Sequence, residues 1–198
     1  MVFMKRKGET TRERIVAQTA SLLNCGGYLR TPVSEIMRVT GLQKGGIYNH
    51  FESRQALTLE AFNFAFEVMR KRLLDAMADK SSANDKLCAL IRAFRDGSKG
   101  IGLEGGCPIT NLAIESDDAD PELRSAARQA MRSLIGLFEK TIAQGVKDGE
   151  FVSQDARESA VHMVAALEGA FMLSNLYKDP SYLQIVANRL EDEVKAGR

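Results

Sequence analysis

Apolar residues in this chain return every three or four positions, in blocks set off by capping residues and glycines, the pattern that amphipathic helices write into a sequence. The first block opens at Thr10, whose spacing to Glu13 suits a capping box. It carries Ile15, Thr19, Leu22 and Leu23 on one side and stops at Gly26-Gly27. Residues 31–51, TPVSEIMRVTGLQKGGIYNHF, then read as two short helices joined by a glycine turn. Thr31 is placed to cap the first of these, with Pro32 at the first helical position, where its missing N–H costs nothing. Val33, Ile36, Met37 and Val39 give it one apolar side. The chain breaks at Thr40-Gly41-Leu42 and restarts as Gln43 to His50. Ser53 starts a long helix, with Leu57, Ala61, Phe64, Val68 and Leu73 among its apolar positions, running to about Asp79. Ser82-x-x-Asp85, Asp120-Pro121, Asp155-x-x-Glu158 and Asp179-Pro180 open four more. No stretch alternates as a strand would. The predicted fold class is all-α, with about nine helices.

The candidate chemistry lies on the helix that follows the glycine turn. Leu42, Ile47 and Phe51 point inward, which leaves Lys44, Gly45, Gly46, Tyr48, Asn49 and His50 outward. That face suits the major groove, where short residues let the backbone approach and polar ones meet bases and phosphates. Lys44 can reach a phosphate or a guanine edge, Tyr48 and His50 can donate to phosphates, and Asn49 can reach a base edge or the backbone. Thr31 adds a phosphate contact from the start of the preceding helix. Charge supports this. Residues 1–54 hold nine Lys/Arg against four acids, while the rest holds 18 against 22, so a net charge of +1 hides a basic head on a mildly acidic body.

The same residues carry a family resemblance. Thr10 to Leu59 resembles the N-terminal domain of the TetR family of bacterial transcriptional regulators. The matching positions are Thr11-Arg12, Ile15, Gly27-Tyr28, Thr31, Gly41-Leu42, Lys44-Gly45-Gly46-Ile47-Tyr48-Asn49-His50-Phe51 and Ser53 to Leu57. Arg54 stands where the family usually has Lys, and Gly46 where it often has Thr, so one hydroxyl contact is absent and operator preference does not carry over. The resemblance implies a DNA-binding domain over residues 8–68 and a ligand-binding and dimerisation domain over 69–198. It implies a homodimer through the last two helices, whose stripes are Ala160, Met163, Val164, Leu167, Phe171 and Leu183, Val186, Ala187, Leu190, Val194. Its two heads would meet a palindromic operator on double-stranded DNA in successive major grooves, about 34–36 Å apart. A repressor released by a small-molecule effector, through a shift of the long helix, is the implied function.

A second resemblance covers Gly106-Cys107-Pro108-Ile109-Thr110-Asn111-Leu112-Ala113, which is similar to a Gly-Cys-x-x-x-Asn-Leu-Ala segment in one branch of the family. There it lies beside the effector pocket. Cys107 is thus a candidate electrophile or oxidant sensor and Asn111 a candidate ligand contact. Phe66, Met69, Phe94, Met131 and Phe138 are candidate apolar lining. An enzyme using Cys107 as nucleophile is the remote alternative, since His50 and His162 sit in no recognisable catalytic pattern. The three cysteines, Cys25, Cys88 and Cys107, lack C-x-x-C spacing, which argues against a disulfide framework or a metal site, and Cys25 reads as a small buried residue. Gly100 to Gly105 matches G-x-G-x-x-G literally, but without a preceding strand it reads as a flexible connector. No cofactor is expected. The start MVFMKRKGE has no signal-peptide core and the richest apolar run, 160–173, is interrupted by His162, Glu168 and Gly169. A cytoplasmic protein without a membrane span is therefore expected.

Overall fold

A computed structural model describes residues 10–98, 105–116, 120–152 and 155–197. Nine α-helices and one short 3-10 turn make up the described residues, with no strand among them. They are α1 (Thr11–Gly26), α2 (Val33–Thr40), α3 (Lys44–Tyr48), α4 (Arg54–Met77), α5 (Ala83–Arg95), α6 (Pro108–Glu115), α7 (Pro121–Lys147), α8 (Ala156–Tyr177) and α9 (Ser181–Lys195). The Lys5-Arg6-Lys7 run and all of the Gly100–Gly105 connector except Gly105 lie outside the described residues. No described helix is long and apolar enough to cross a membrane.

Local capping starts most of these helices. Thr10 and Glu13 form the complete capping box, each side chain accepting from the other's backbone N–H. The hydroxyl of Ser82 accepts from the N–H of Asp85, and the carboxylate of Asp155 accepts from Arg157 and Glu158. At the start of α7 the Asp120 carboxylate accepts from Glu122 and Leu123. The start of α2 differs from the sequence reading. Pro32 occupies the cap position without a side-chain bond and the helix begins at Val33, because the Thr31 hydroxyl turns back to the Gly27 carbonyl, 2.7 Å away.

The chain forms two compact units, one of Met1–Val68 with Gly100–Arg128, the other of Met69–Lys99 with Gln129–Arg198. The segment from Gly105 to Glu115 hydrogen-bonds to the end of α1 and the turn after it. Within the first unit Ile15, Val16, Ile36, Ile47, Phe51 and Leu57 form one buried cluster, with Leu22, Met37 and Leu42 packed against it. On α4 the large buried ring is Phe62, whereas Phe64 is exposed.

In the second unit α5 and α8 pack along α9. Ala160, Met163, Val164, Leu167 and Phe171 of α8 and Leu183, Ala187, Leu190 and Val194 of α9 are buried inside this one chain. Those stripes build the unit's own core, as amphipathic faces do. The Glu191 side chain, only 7% exposed, takes two bonds from the Arg92 guanidinium at 2.6 and 3.0 Å. A Cβ on Gly145 would lie 2.3 Å from the Phe151 ring, so the sharp end of α7 requires glycine there.

Candidate nucleic-acid interface

The glycine turn between α2 and α3 sets the presentation of the polar face. Gly41 sits in the left-handed region (φ 69°, ψ 15°) and closes α2 with its N–H on the Met37 carbonyl. The chain then re-enters helix at Lys44. Ile47 is the single buried residue of α3, 1% exposed, and anchors it on the cluster described above. α3 is shorter than the sequence suggested. Its five helical residues end at Tyr48, while Asn49 and His50 hydrogen-bond back to the Gly45 and Ile47 carbonyls as the helix closes. Two glycines with low helix propensity in so short a run leave little to extend it.

Lys44, Gly45, Asn49 and His50 are exposed, and Gly46 and Tyr48 half-buried, so one short element displays all six. Gln43 belongs with them. It is exposed at the cap position and its side chain makes no capping bond, a role the sequence reading did not assign. Thr31 does not join the set. It is 5% exposed and its hydroxyl is committed to Gly27, so the expected phosphate contact is corrected to an internal bond. Arg12, at the start of α1, pairs with Glu60 and lies 4.9 Å from the centre of the Phe51 ring. The arrangement is a helix-turn-helix whose second helix is anchored by one isoleucine and otherwise faces outward.

Comparison with known proteins agrees with this geometry. Residues 15–61 match the family model described as bacterial regulatory proteins, tetR family. Residues 83–190 match the tetracyclin repressor-like C-terminal domain. The chain belongs to the TetR family of bacterial transcriptional regulators. A solved TetR transcriptional regulator from Chloroflexus aurantiacus is 39% identical, covers 93% of both chains and superposes with a TM-score of 0.88. The transcriptional regulator LmrA of Bacillus subtilis is 25% identical over 93% of this chain and 97% of its own. The transcriptional repressor NemR of Escherichia coli is 22% identical over 71% of each.

In this TetR-family regulator the residues expected around an effector fall in both units. Phe66, Cys107 and Asn111 belong to the first unit, and Met69, Phe94, Met131 and Phe138 to the second. Phe66 stacks on Phe62 at 6.5 Å, and Phe94 meets Phe171 edge-on at 6.0 Å. Phe138 is fully buried. The Asn111 amide lies within 3.1 Å of three acceptors, the Asn24 carbonyl and side chain and the Gly105 carbonyl, which gives it a structural role. Cys107 is the cap residue of α6 and 6% exposed, without the solvent access a sensing thiol needs. Cys25, expected to be buried, is exposed.

Three residues around the turn from α1 to α2 went unrecognised in the sequence. The Arg54 guanidinium donates to the carbonyls of Tyr28, Leu29 and Thr31. The Glu115 carboxylate accepts from the N–H groups of Tyr28 and Leu29. Asn24, 3% exposed, donates to the Gly106 carbonyl. Asn24 had a signal: an asparagine on the inner side of a helix needs partners, and Gly26-Gly27 announces a turn beside it.

Tyr28 itself is fully buried, and burial first, then the neighbouring Cys107, Glu115 and Cys25, pushes its phenol well above the ordinary value of 10.0. A folded-state pKa raised above the unfolded one gives stability that is complete below the unfolded value and is lost as pH rises beyond it. The expected result is a fall in thermal midpoint above about pH 10 that is visibly shallower in Tyr28→Phe. At pH 7 that variant loses little, since the bond from the Tyr28 hydroxyl to Asn24 is a long 3.4 Å. Equal slopes in the two proteins would remove Tyr28 as the cause.

Proposed function

We propose that this regulator binds a palindromic operator on double-stranded DNA as a homodimer, and that a small-molecule effector releases it as it would a repressor. The observation that carries the reading is the outward set on and beside α3: Lys44, Gly45, Gly46, Tyr48, Asn49 and His50, with Gln43. Lys44, Tyr48 and His50 supply donors for phosphates, Asn49 and Gln43 amides for base edges, and the glycines a place for the backbone to come close.

An outer stripe on α8 supports the dimer. Val161, Ala165, Met172 and Leu176 are exposed along one side of the helix, with Gly169 between them, and Ile185 is exposed on α9. A Cβ at Gly169 would meet nothing within 4 Å in this chain. Glycine in mid-helix costs roughly 1 kcal/mol relative to alanine, and a second helix lying close along the stripe gives it a use. A two-fold pairing of this surface presents two α3 helices to two half-sites.

The test is selection from random-sequence duplexes at two salt concentrations. The expected result is enrichment of one palindrome, steep loss of affinity with salt, and no enrichment by Lys44→Ala/Tyr48→Ala. Retention of DNA without any enriched sequence would reduce the head to a nonspecific basic surface. No retention at either salt would end the proposal.

A further inference from the structure

The turn between α1 and α2 is held by groups that come from neither helix. Glu115 Oε1 accepts the Tyr28 N–H at 3.1 Å and Oε2 the Leu29 N–H at 3.0 Å. Arg54 takes the carbonyls of the same two residues, at 3.0 and 3.1 Å. An anion therefore grips the N–H side of this turn and a cation its C=O side. Hydrogen bonds to an ionised partner are stronger than neutral ones, and these are partly buried. Gly27 admits the carboxylate. Its φ is 100°, and a Cβ there would stand 3.0 Å from both Glu115 oxygens.

The same helix makes a second grip one turn earlier. Asn111, four residues before Glu115 and so on the same face of α6, donates to the Asn24 carbonyl at 3.1 Å. Gly105 lies so close that a Cβ would fall 2.4 Å from that carbonyl oxygen. Both grips act on the last turn of α1 and the residues that lead into α2.

We propose that Glu115, backed by Asn111, is a positioning residue for DNA reading: through the Tyr28-Leu29 peptides it sets the direction in which α2, and hence α3, leaves α1. The inference rests on the proposed DNA-binding function and names a control point for it. α6 holds the reading helices in their binding geometry, and loosening Glu115 frees them without touching any residue that faces DNA.

The experiment uses the full chain, the palindrome that the wild type selects, and an unrelated duplex of equal length. Glu115→Gln keeps the shape of the side chain but offers one acceptor oxygen and turns an NH2 toward an N–H. Operator affinity is expected to fall about tenfold, with affinity for the unrelated duplex and its salt slope unchanged, because the phosphate-facing residues are intact. Amide exchange at Tyr28 and Leu29 is expected to quicken about tenfold while Ile15 and Leu23 in the core of α1 keep their rates. A merely stabilising role would move all of these together. If Glu115→Gln does not fold, Asn111→Ser carries the same comparison. Unchanged operator affinity, or equal losses on both duplexes, overturns the proposal. A wild type that selects no palindrome removes the DNA-binding reading first, and this inference with it.

Discussion

Replacing Gly45 and Gly46 together by alanine is expected to make the protein more stable and a weaker DNA binder at the same time. Neither glycine has a positive φ, so alanine fits the backbone at both. A Cβ at Gly45 would meet nothing within 4 Å, and one at Gly46 would meet Leu42 at an ordinary 3.6 Å. The fold has no steric need for either glycine. It also bears a cost for keeping them, roughly 1 kcal/mol each in a helix interior and less in one this short. The double variant should therefore gain about 1 kcal/mol, a rise of about 2–4 °C in thermal midpoint for a chain of this size. On DNA the two methyls stand where the backbone of α3 would approach the groove. A tenfold or greater loss of operator affinity, about 1.4 kcal/mol or more, is expected from titration at fixed salt. Full operator affinity in the stabilised variant would show that close backbone approach is not what the glycines serve.

Leu176→Asp is expected to split the dimer and with it nearly all operator binding. Leu176 is 68% exposed in the single chain, so the change costs the monomer fold little. In a two-fold interface each substitution occurs twice. Two buried apolar anchors worth roughly 2 kcal/mol each weaken association on the order of a thousandfold. Two aspartates facing the same interface add repulsion. Loss of the second head then removes an avidity of about 10²–10⁴. Sedimentation of the variant should show monomer at micromolar concentration with an unchanged helical spectrum. A dimer of normal affinity would place the contact elsewhere, whereas a monomer that still binds the palindrome tightly would separate operator recognition from dimerisation.

Effector candidates divide differently now that side chains have partners. Asn111 looked like a ligand contact because its segment resembles one that lies beside the effector pocket in a branch of the family. Its amide is committed to Asn24 and Gly105, more than eighty residues away in the first case. Cys107 stands at the start of a helix, where the dipole favours a thiolate, yet the residue is 6% exposed. Thr31 has the residue type and position of a helix cap and spends its hydroxyl behind it, on Gly27. In each case the residue type was legible and the partner was not.

The helix starts at Thr10, Ser82 and Asp155 follow from the sequence alone, because a cap is made between residues two or three positions apart. So does the outward face of α3, since one buried Ile47 and a 3.6-residue period decide which neighbours point away. What only the tertiary structure decided is where distant segments meet. Periodicity marks an apolar face without saying which element covers it, so one set of stripes on α8 and α9 proved to be the chain's own core and the row through Val161, Met172 and Leu176 the open surface. Nor does any local rule bring Glu115 to the turn after α1: two N–H groups of that turn need an acceptor, and the fold supplies it from a helix that begins eighty residues later.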